Sequence, residues 1–381
     1  MIHEQDRGEN ADSSLCNQRT GPVVNDRTPL TIYDPNSVMN YCQAGGNNTG
    51  QLTYLDRLGI SEVYNRPYLA LASAKSGSLY HRVRTTSGTT GGSWSNFVSV
   101  ESVAGEIGTI VDSDMRTTHF GLTHVAAITD NGGLYYTARN PNGTWQQFVD
   151  VKTLASDPGT VTRVALAEDS SLLGPLEVNR MHLGAVTSDG RLWHAIRGED
   201  GAWTPLGDVE TVAGERGTFT DVSLTVSGDV LNLQETLQLC GLTSDGDVWH
   251  AVRTNNGAWT SLWNIEDGTG GERGDFTDVD CVAAADYLHF IGVTSTGQVY
   301  HAFRAPSGSW TGMWNVTANV GGLSGTIHKV AVSQQRGQLN VVLRNTTGTL
   351  FYGVRPGAAW NSFVTIPVTT GVGTVNSIAL D

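Results

Sequence analysis

From Tyr68 onward, apolar residues fall in short alternating runs, each closed by a glycine turn and none long or 3.6-periodic enough for a helix of ordinary length. The runs come in sets of four. The first of each set is a short apolar stretch after a Gly loop: TIVDSDM (109–115), VTRVALA (161–167), FTDVSLT (219–225), FTDVDCV (276–282) and IHKVAVS (327–333). The second ends in a hairpin signal such as Ser188-Asp189-Gly190 or Ser244-Asp245-Gly246. The third carries an aromatic residue, and after a second Gly turn the fourth begins on Trp and obeys W-x-x-apolar-x-x-apolar, as in Trp203, Leu206, Val209 and Trp360, Phe363, Ile366.

The sets are copies of one another. Three clear ones read LGAVTSDGRLWHAIRGEDGAWTPLGDV from Leu183, LCGLTSDGDVWHAVRTNNGAWTSLWNI from Leu239 and FIGVTSTGQVYHAFRAPSGSWTGMWNV from Phe290, with looser copies near Leu69, Val125 and Asn340. Their tryptophans fall at Trp94, Trp145, Trp203, Trp259, Trp310 and Trp360, spaced by 51, 58, 56, 51 and 50 residues. Four-stranded units at that period predict an all-β fold, a six-bladed β-propeller over 66–381, preceded by a small loop and helix segment over 1–65. The first repeat, from Tyr68, lacks a first strand, whereas VNSIALD (375–381) is a first strand with no repeat behind it. Docking that tail into blade one closes the ring and leaves no inner edge unpaired.

The third strands, in register, are LYHRVR (79–84), LYYTAR (134–139), LWHAIR (192–197), VWHAVR (248–253), VYHAFR (299–304) and LFYGVR (350–355). A side-chain period of two puts Leu/Val and His/Tyr on one face, and the aromatic, a mostly small residue and Arg on the other. That second face has two readings. As packing, the aromatic fills the wedge between blades and the guanidinium stacks there; repetition in every blade suits this, and it is favoured at any one position. As a sugar pocket, the ring stacks on a pyranose and Arg bonds its hydroxyls, in a multivalent lectin. The candidate pairs are Tyr80 with Arg84, Trp193 with Arg197, Trp249 with Arg253 and Tyr300 with Arg304; Trp263 and Trp314, present in only two blades, are candidates outside the pattern.

Composition narrows the partners. The 381 residues carry a net charge of −14 with only 16% charged residues and 46 glycines, which suits an all-β chain with many turns. A net acidic chain lacks the basic face that phosphate backbones and anionic membranes require. No apolar run is long enough to span a bilayer, and the opening MIHEQDRGEN reads as neither a secretory signal nor a transit peptide. Cys16 and Cys42 lie in the loop-rich N-terminal segment, where a disulfide suits an oxidising compartment; Cys240 and Cys281 sit in apolar strand runs and read as buried free thiols. The repeats contain no isolated carboxylate pair of the glycosidase kind, no phosphate loop, no nucleophile elbow and no zinc-ligand cluster. They read as a binder.

Residues 1–65 share nothing with the repeats. MIHEQDR followed by YDPNSVMNYC (33–42) resembles the back end of an astacin-like metzincin zinc peptidase, whose zinc helix H-E-x-x-H-x-x-G-x-x-H precedes a Met-turn S-[VI]-M-x-Y. The resemblance implies that His3 matches the third zinc ligand, that Met39 floors the metal site, and that Tyr41 is the tyrosine able to reach the zinc or the oxyanion. QLTYLDRLGISEVYN resembles the closing helix of such domains, with Thr53 and Asp56 as a capping box. The first two histidines and the general-base Glu would precede residue 1, and one histidine cannot hold a catalytic zinc. The expectation is therefore a non-catalytic remnant without cofactor, whose parent is a secreted zinc peptidase. The repeats are similar to tectonin/tachylectin-type and fucose-lectin-type propellers, which implies glycan or cell-surface polysaccharide partners. Three functional classes are thereby set out: a carbohydrate-binding propeller, a protein-interaction scaffold, and part of an active peptidase if the true chain extends upstream.

Overall fold

The computed structural model describes residues 68–381 except 88–90, 119–120, 174–175, 228–235, 285–286, 336–337, 368–374 and 376. The N-terminal features, including His3, Tyr41, Cys16 and Cys42, lie outside the described residues.

Six antiparallel sheets follow one another, and their innermost strands touch in a closed circle. This is a six-bladed β-propeller. Blade two runs Ile110–Thr117, Thr123–Thr129, Leu134–Arg139 and Val149–Asp150; blade four runs Phe219–Ser227, Thr236–Thr243, Val248–Arg253 and Trp263–Asn264. Blade one takes its inner strand, Ala379–Leu380, from the C-terminus, which pairs antiparallel with Tyr68–Lys75 in the register Leu71↔Leu380 and Ala72↔Ala379. Further bonds fasten the tail to blade two. The Thr117 N–H donates to the Asp381 carboxylate at 2.5 Å, and Arg116 donates to the Leu380 carbonyl at 3.5 Å.

The fourth strand differs from its expected form. It is not continuous: Trp145, Trp203, Trp259 and Trp310 each make an isolated bridge to the Arg of their own third strand, and a two-residue strand resumes four positions later. A helical turn then follows, as in Glu210–Ala213 or Ile265–Thr269. The apolar positions after Trp explain the break: Leu206, Val209, Leu262 and Ile265 are buried in the packing between blades, and a flat strand could not turn all of them inward.

Blades are joined at three radii. Near the hairpins, the first residue of an inner strand donates to the hairpin glycine of the preceding blade: Val161 to Gly132, Phe219 to Gly190 and Phe276 to Gly246. The approach is close enough that a Cβ on Gly190 would meet Thr218 Cγ2 at 2.4 Å, and its φ of 80° already excludes most side chains.

At the axis, five inner strands share a β-bulge, each skipping its second residue against the second strand, for example between Phe219 and Asp221. The bulge twists the strand and aims the next residue into the bore. Those residues are Asp112, Arg163, Asp221, Asp278 and Lys329. The carboxylates accept backbone N–H groups of the following blade: Asp112 from Val164, Asp114 from Leu166, Asp221 from Val279, Asp278 from Val330 and Asp280 from Val332, at 2.7–3.3 Å. Lys329 pairs with Asp278. Burial pushes Asp112 and Asp221 up to about 6 and Asp280 to about 7, against the pull of the basic groups beside them. The bore encloses about 50 Å³, space for a few waters.

Farther out, apolar clusters fill the wedges between neighbouring blades; one joins Leu224 and Leu239 to Ala165 and Val186 of the blade before. Cys240 and Cys281 are free thiols, both fully buried within one such cluster, as the sequence suggested.

Candidate ligand-binding clefts

The third strand supplies the chemistry. Its first aromatic stands at the hairpin end. Trp193 and Trp249 donate their ring N–H to Thr187 and Thr243 at 3.1 Å, and the Arg216 guanidinium, bonded to the Leu262 carbonyl, lies 5.1 Å over the Trp249 ring. Tyr300 meets Phe276 edge-on at 6.2 Å, and Tyr80 meets Phe97 at 6.3 Å. Arg84, Arg197, Arg253 and Arg304 stand at the other end of their strands. Four residues of extended chain separate aromatic from Arg, about 13 Å, longer than one sugar ring. The structure therefore does not bring the candidate pairs Trp193–Arg197, Trp249–Arg253 and Tyr300–Arg304 into one pocket.

Five of the six arginines instead stand opposite the repeat Trp. Residues directly across an antiparallel pair share a face, and the pairs are Arg84↔Trp94, Arg139↔Trp145, Arg197↔Trp203, Arg253↔Trp259 and Arg304↔Trp310. Both side chains face the His or Tyr of the preceding blade. The indole meets that ring edge-on: Trp145 on His81, Trp203 on Tyr136, Trp259 on His194, Trp310 on His250, Trp360 on His301 and Trp94 on Tyr352, with centroids 5.4–6.1 Å apart. The guanidinium of Arg197 lies 4.9 Å over Tyr136, and that of Arg84 4.7 Å over Tyr352. Across the own-blade turn, a Cβ on Gly201, Gly257 or Gly308 would sit 3.1 Å from the Arg Nη2, so the turn glycine makes room for the guanidinium.

Beneath this triad lies a polar pair that crosses from third to second strand at a separation of 12 residues: Tyr136–His124, His194–His182, His250–Gln238, His301–His289 and Tyr352–Asn340, at 2.5–3.0 Å. Burial keeps the imidazoles neutral. His81, His124 and His250 are pulled down to about 3, and His194 and His301 well below the ordinary histidine value. In blade one the twelfth residue back is Leu69, and the buried His81 Nε2 has no hydrogen-bond partner.

Each cleft thus offers a half-buried indole, a half-buried guanidinium and a neutral ring floor. None of the six guanidinium groups makes an ion pair or hydrogen bond with a described residue. Such a group supplies five donors in a planar fork. The sequence reading singled out the arginines and missed their partner, because Trp was read as architecture; the signal was the constant spacing of six from Arg139 to Trp145, Arg197 to Trp203, Arg253 to Trp259 and Arg304 to Trp310.

The two unpatterned tryptophans lie elsewhere. Trp263 and Trp314 are 42% and 40% exposed on the outermost strands, in line with Val98, Val149 and Val364 of other blades. Trp263 lies over Gly268 and beside Trp310: a Cβ on that glycine would meet Trp263 Cη2 at 2.2 Å. Where the outer strand has Val149 or Gly207, the helical turn carries Leu154 or Val212; where it has Trp263, the turn carries Gly268. The large ring fills the space of two smaller residues.

Among the described residues no group of three or more His, Cys, Asp or Glu could hold a metal ion. Likewise, no described helix is long and apolar enough to cross a membrane.

No protein-family model and no curated protein matches this chain by sequence. Solved structures do match. The fucose-specific lectin of Aleuria aurantia aligns at a TM-score of 0.53 with 12% identity, over 81% of this chain and 98% of that one. AofleA from Arthrobotrys oligospora aligns at 0.54 with 11% identity, over 82% and 90%. The BP39L lectin from Burkholderia pseudomallei aligns at 0.50 with 14% identity, over 78% and 94%. At these identities the likeness establishes the fold, a six-bladed propeller.

Proposed function

We propose that this chain is a non-catalytic, carbohydrate-binding propeller that takes glycans in the clefts between its blades. The observation that carries the reading is the repeated triad of Arg, Trp and neighbouring His or Tyr, in which the guanidinium is half-buried and makes no ion pair or hydrogen bond with a described residue. An indole face suits the C–H face of a pyranose and a guanidinium fork suits its oxygens. Six related clefts on one ring suit weak sites that act together on a multivalent surface. The structural neighbours named as lectins support the same class.

A glycan array probed with the purified chain tests the proposal, followed by titration of a bound sugar against Arg304→Ala and Arg139→Ala. Binding that weakens in these variants while their melting curves hold supports it. A silent array, with a protein partner recovered instead, favours an interaction scaffold; the exposed apolar row of Val98, Val149, Trp263, Trp314 and Val364 is the feature that would serve one.

The N-terminal resemblance adds a second part. We infer that the propeller carries a metzincin-like segment to glycan surfaces outside the cell, and that with His3 as the one matching zinc ligand the chain itself needs no cofactor and cleaves no peptide. Stoichiometric tight zinc, or chelator-sensitive casein cleavage by the purified chain, is the result that overturns this part.

A further inference from the structure

The six clefts are not chemically equal. Arg197 is followed by a turn containing Glu199 and Asp200, and Arg253 has Asp169 and Arg180 near it. Arg304 and Arg355 have neither. Their turns read Ala305-Pro306-Ser307-Gly308 and Pro356-Gly357-Ala358-Ala359, and no carboxylate of a described residue interacts with either guanidinium. Their floors are His250, committed to Gln238, and His301, committed to His289. Both imidazoles are buried and neutral, so neither offsets the positive charge. Phe303, 6.0 Å from Arg355, is the one ring stacked on either guanidinium. Partial burial draws both arginines below their ordinary value, a sign that the cation is poorly solvated where it stands.

Resting on the glycan-binding reading, we propose that the clefts at Arg304 with Trp310 and at Arg355 with Trp360 select an anionic saccharide, one bearing a carboxylate or a sulfate. A sugar hydroxyl is both donor and acceptor, and these clefts offer a donor-only guanidinium fork. A neutral sugar leaves its own hydroxyl protons to water and the guanidinium uncompensated. A carboxylate or sulfate accepts two parallel N–H bonds and neutralises the half-buried cation at once. The ring of the same residue stacks on the adjacent indole. The chain's net charge of −14 opposes a polyanion at long range. Selectivity is therefore short-range and appears as affinity, not as fast association.

The test is calorimetric titration of the full chain with three ligands: methyl glucuronide, its uncharged amide, and a galactose 6-sulfate glycoside. The expected result is that one or both anionic sugars bind about tenfold or more tighter than the amide at low salt. That preference shrinks as salt rises, and the Arg304→Gln/Arg355→Gln double variant abolishes it with little change in melting temperature. An Arg304→Lys/Arg355→Lys variant, which keeps the charge but not the fork, retains the salt dependence and loses most of the affinity. Comparable binding of the amide and the acids overturns this inference and leaves the glycan-binding reading intact. Binding of none of the three, with a silent glycan array, overturns both. Should the glutamine variant melt far lower, the lysine variant decides: unchanged affinity for the acids there overturns the proposal.

Discussion

The indole of Trp259 meets the imidazole of His194 edge-on, with centroids 5.4 Å apart at 84°, and so ties blade four to blade three. Five equivalent contacts complete the circle. The aromatic–Arg face is therefore both mortar and cleft wall: the edge of each indole is used in packing, and the residue stays half-exposed beside a half-buried Arg. Trp259→Leu is expected to lower stability by about 1–3 kcal/mol and to weaken glycan binding. Trp249→Phe removes the bond to Thr243 and costs about 1 kcal/mol, with binding unchanged. Thermal melts run beside sugar titrations separate the two; a Trp249→Phe protein that folds normally and fails to bind would return the site to the hairpin end.

Closure depends on seven residues. Deleting 375–381 strips the inner strand from blade one and the Asp381 carboxylate from the Thr117 N–H. The melting temperature is expected to fall by several °C at least. Asp381→Ala alone leaves a partly buried N–H unpaired, a loss of about 1–3 kcal/mol. An unchanged melt in the deletion variant would show that blade one is complete without its tail.

Acid weakens the ring more than base. His81, His124 and His250 are held near 3 and His289 near 4, below an unfolded value near 6.5, chiefly by burial. Their contribution is complete above 6.5 and is lost as pH falls, by about 1.4 kcal/mol per histidine per unit. Asp112, Asp221 and Asp280 run the other way: raised to about 6, 6 and 7, they favour the folded state in acid and lose that advantage as pH climbs through those values. Depressed histidines outnumber raised aspartates at these extremes, so the expected stability maximum lies near pH 6–7, with a steep fall below and a shallow one above. Denaturant midpoints at pH 4, 5, 6.5 and 8 check it, and a midpoint that rises steadily toward pH 4 contradicts it.

The rim offers a test of volume exchange. Gly268→Val should force Trp263 off its seat and destabilise the protein by about 1–3 kcal/mol, since the added carbon meets the ring. The double variant Trp263→Val/Gly268→Val reproduces the pairing of Val98 with Val103 in blade one and should recover most of that loss. Additive single effects in the melting data would mean the two positions are not coupled.

The sequence by itself determined the number of blades, the four strands in each, the buried thiols and the closing tail. These are local properties: alternation, Gly turns and a repeat period constrain each strand through its own residues and the next. Tertiary structure decided where the third-strand residues point once blades meet. A periodicity of two could put Trp249 and Arg253 on one face, but not say that 13 Å or so of strand separates them, nor that Arg253 faces His194 of another blade. The charged bore was equally out of reach. A single bulged residue, such as Thr220, turns Asp221 toward the axis, and an axis exists only after six blades have closed around it.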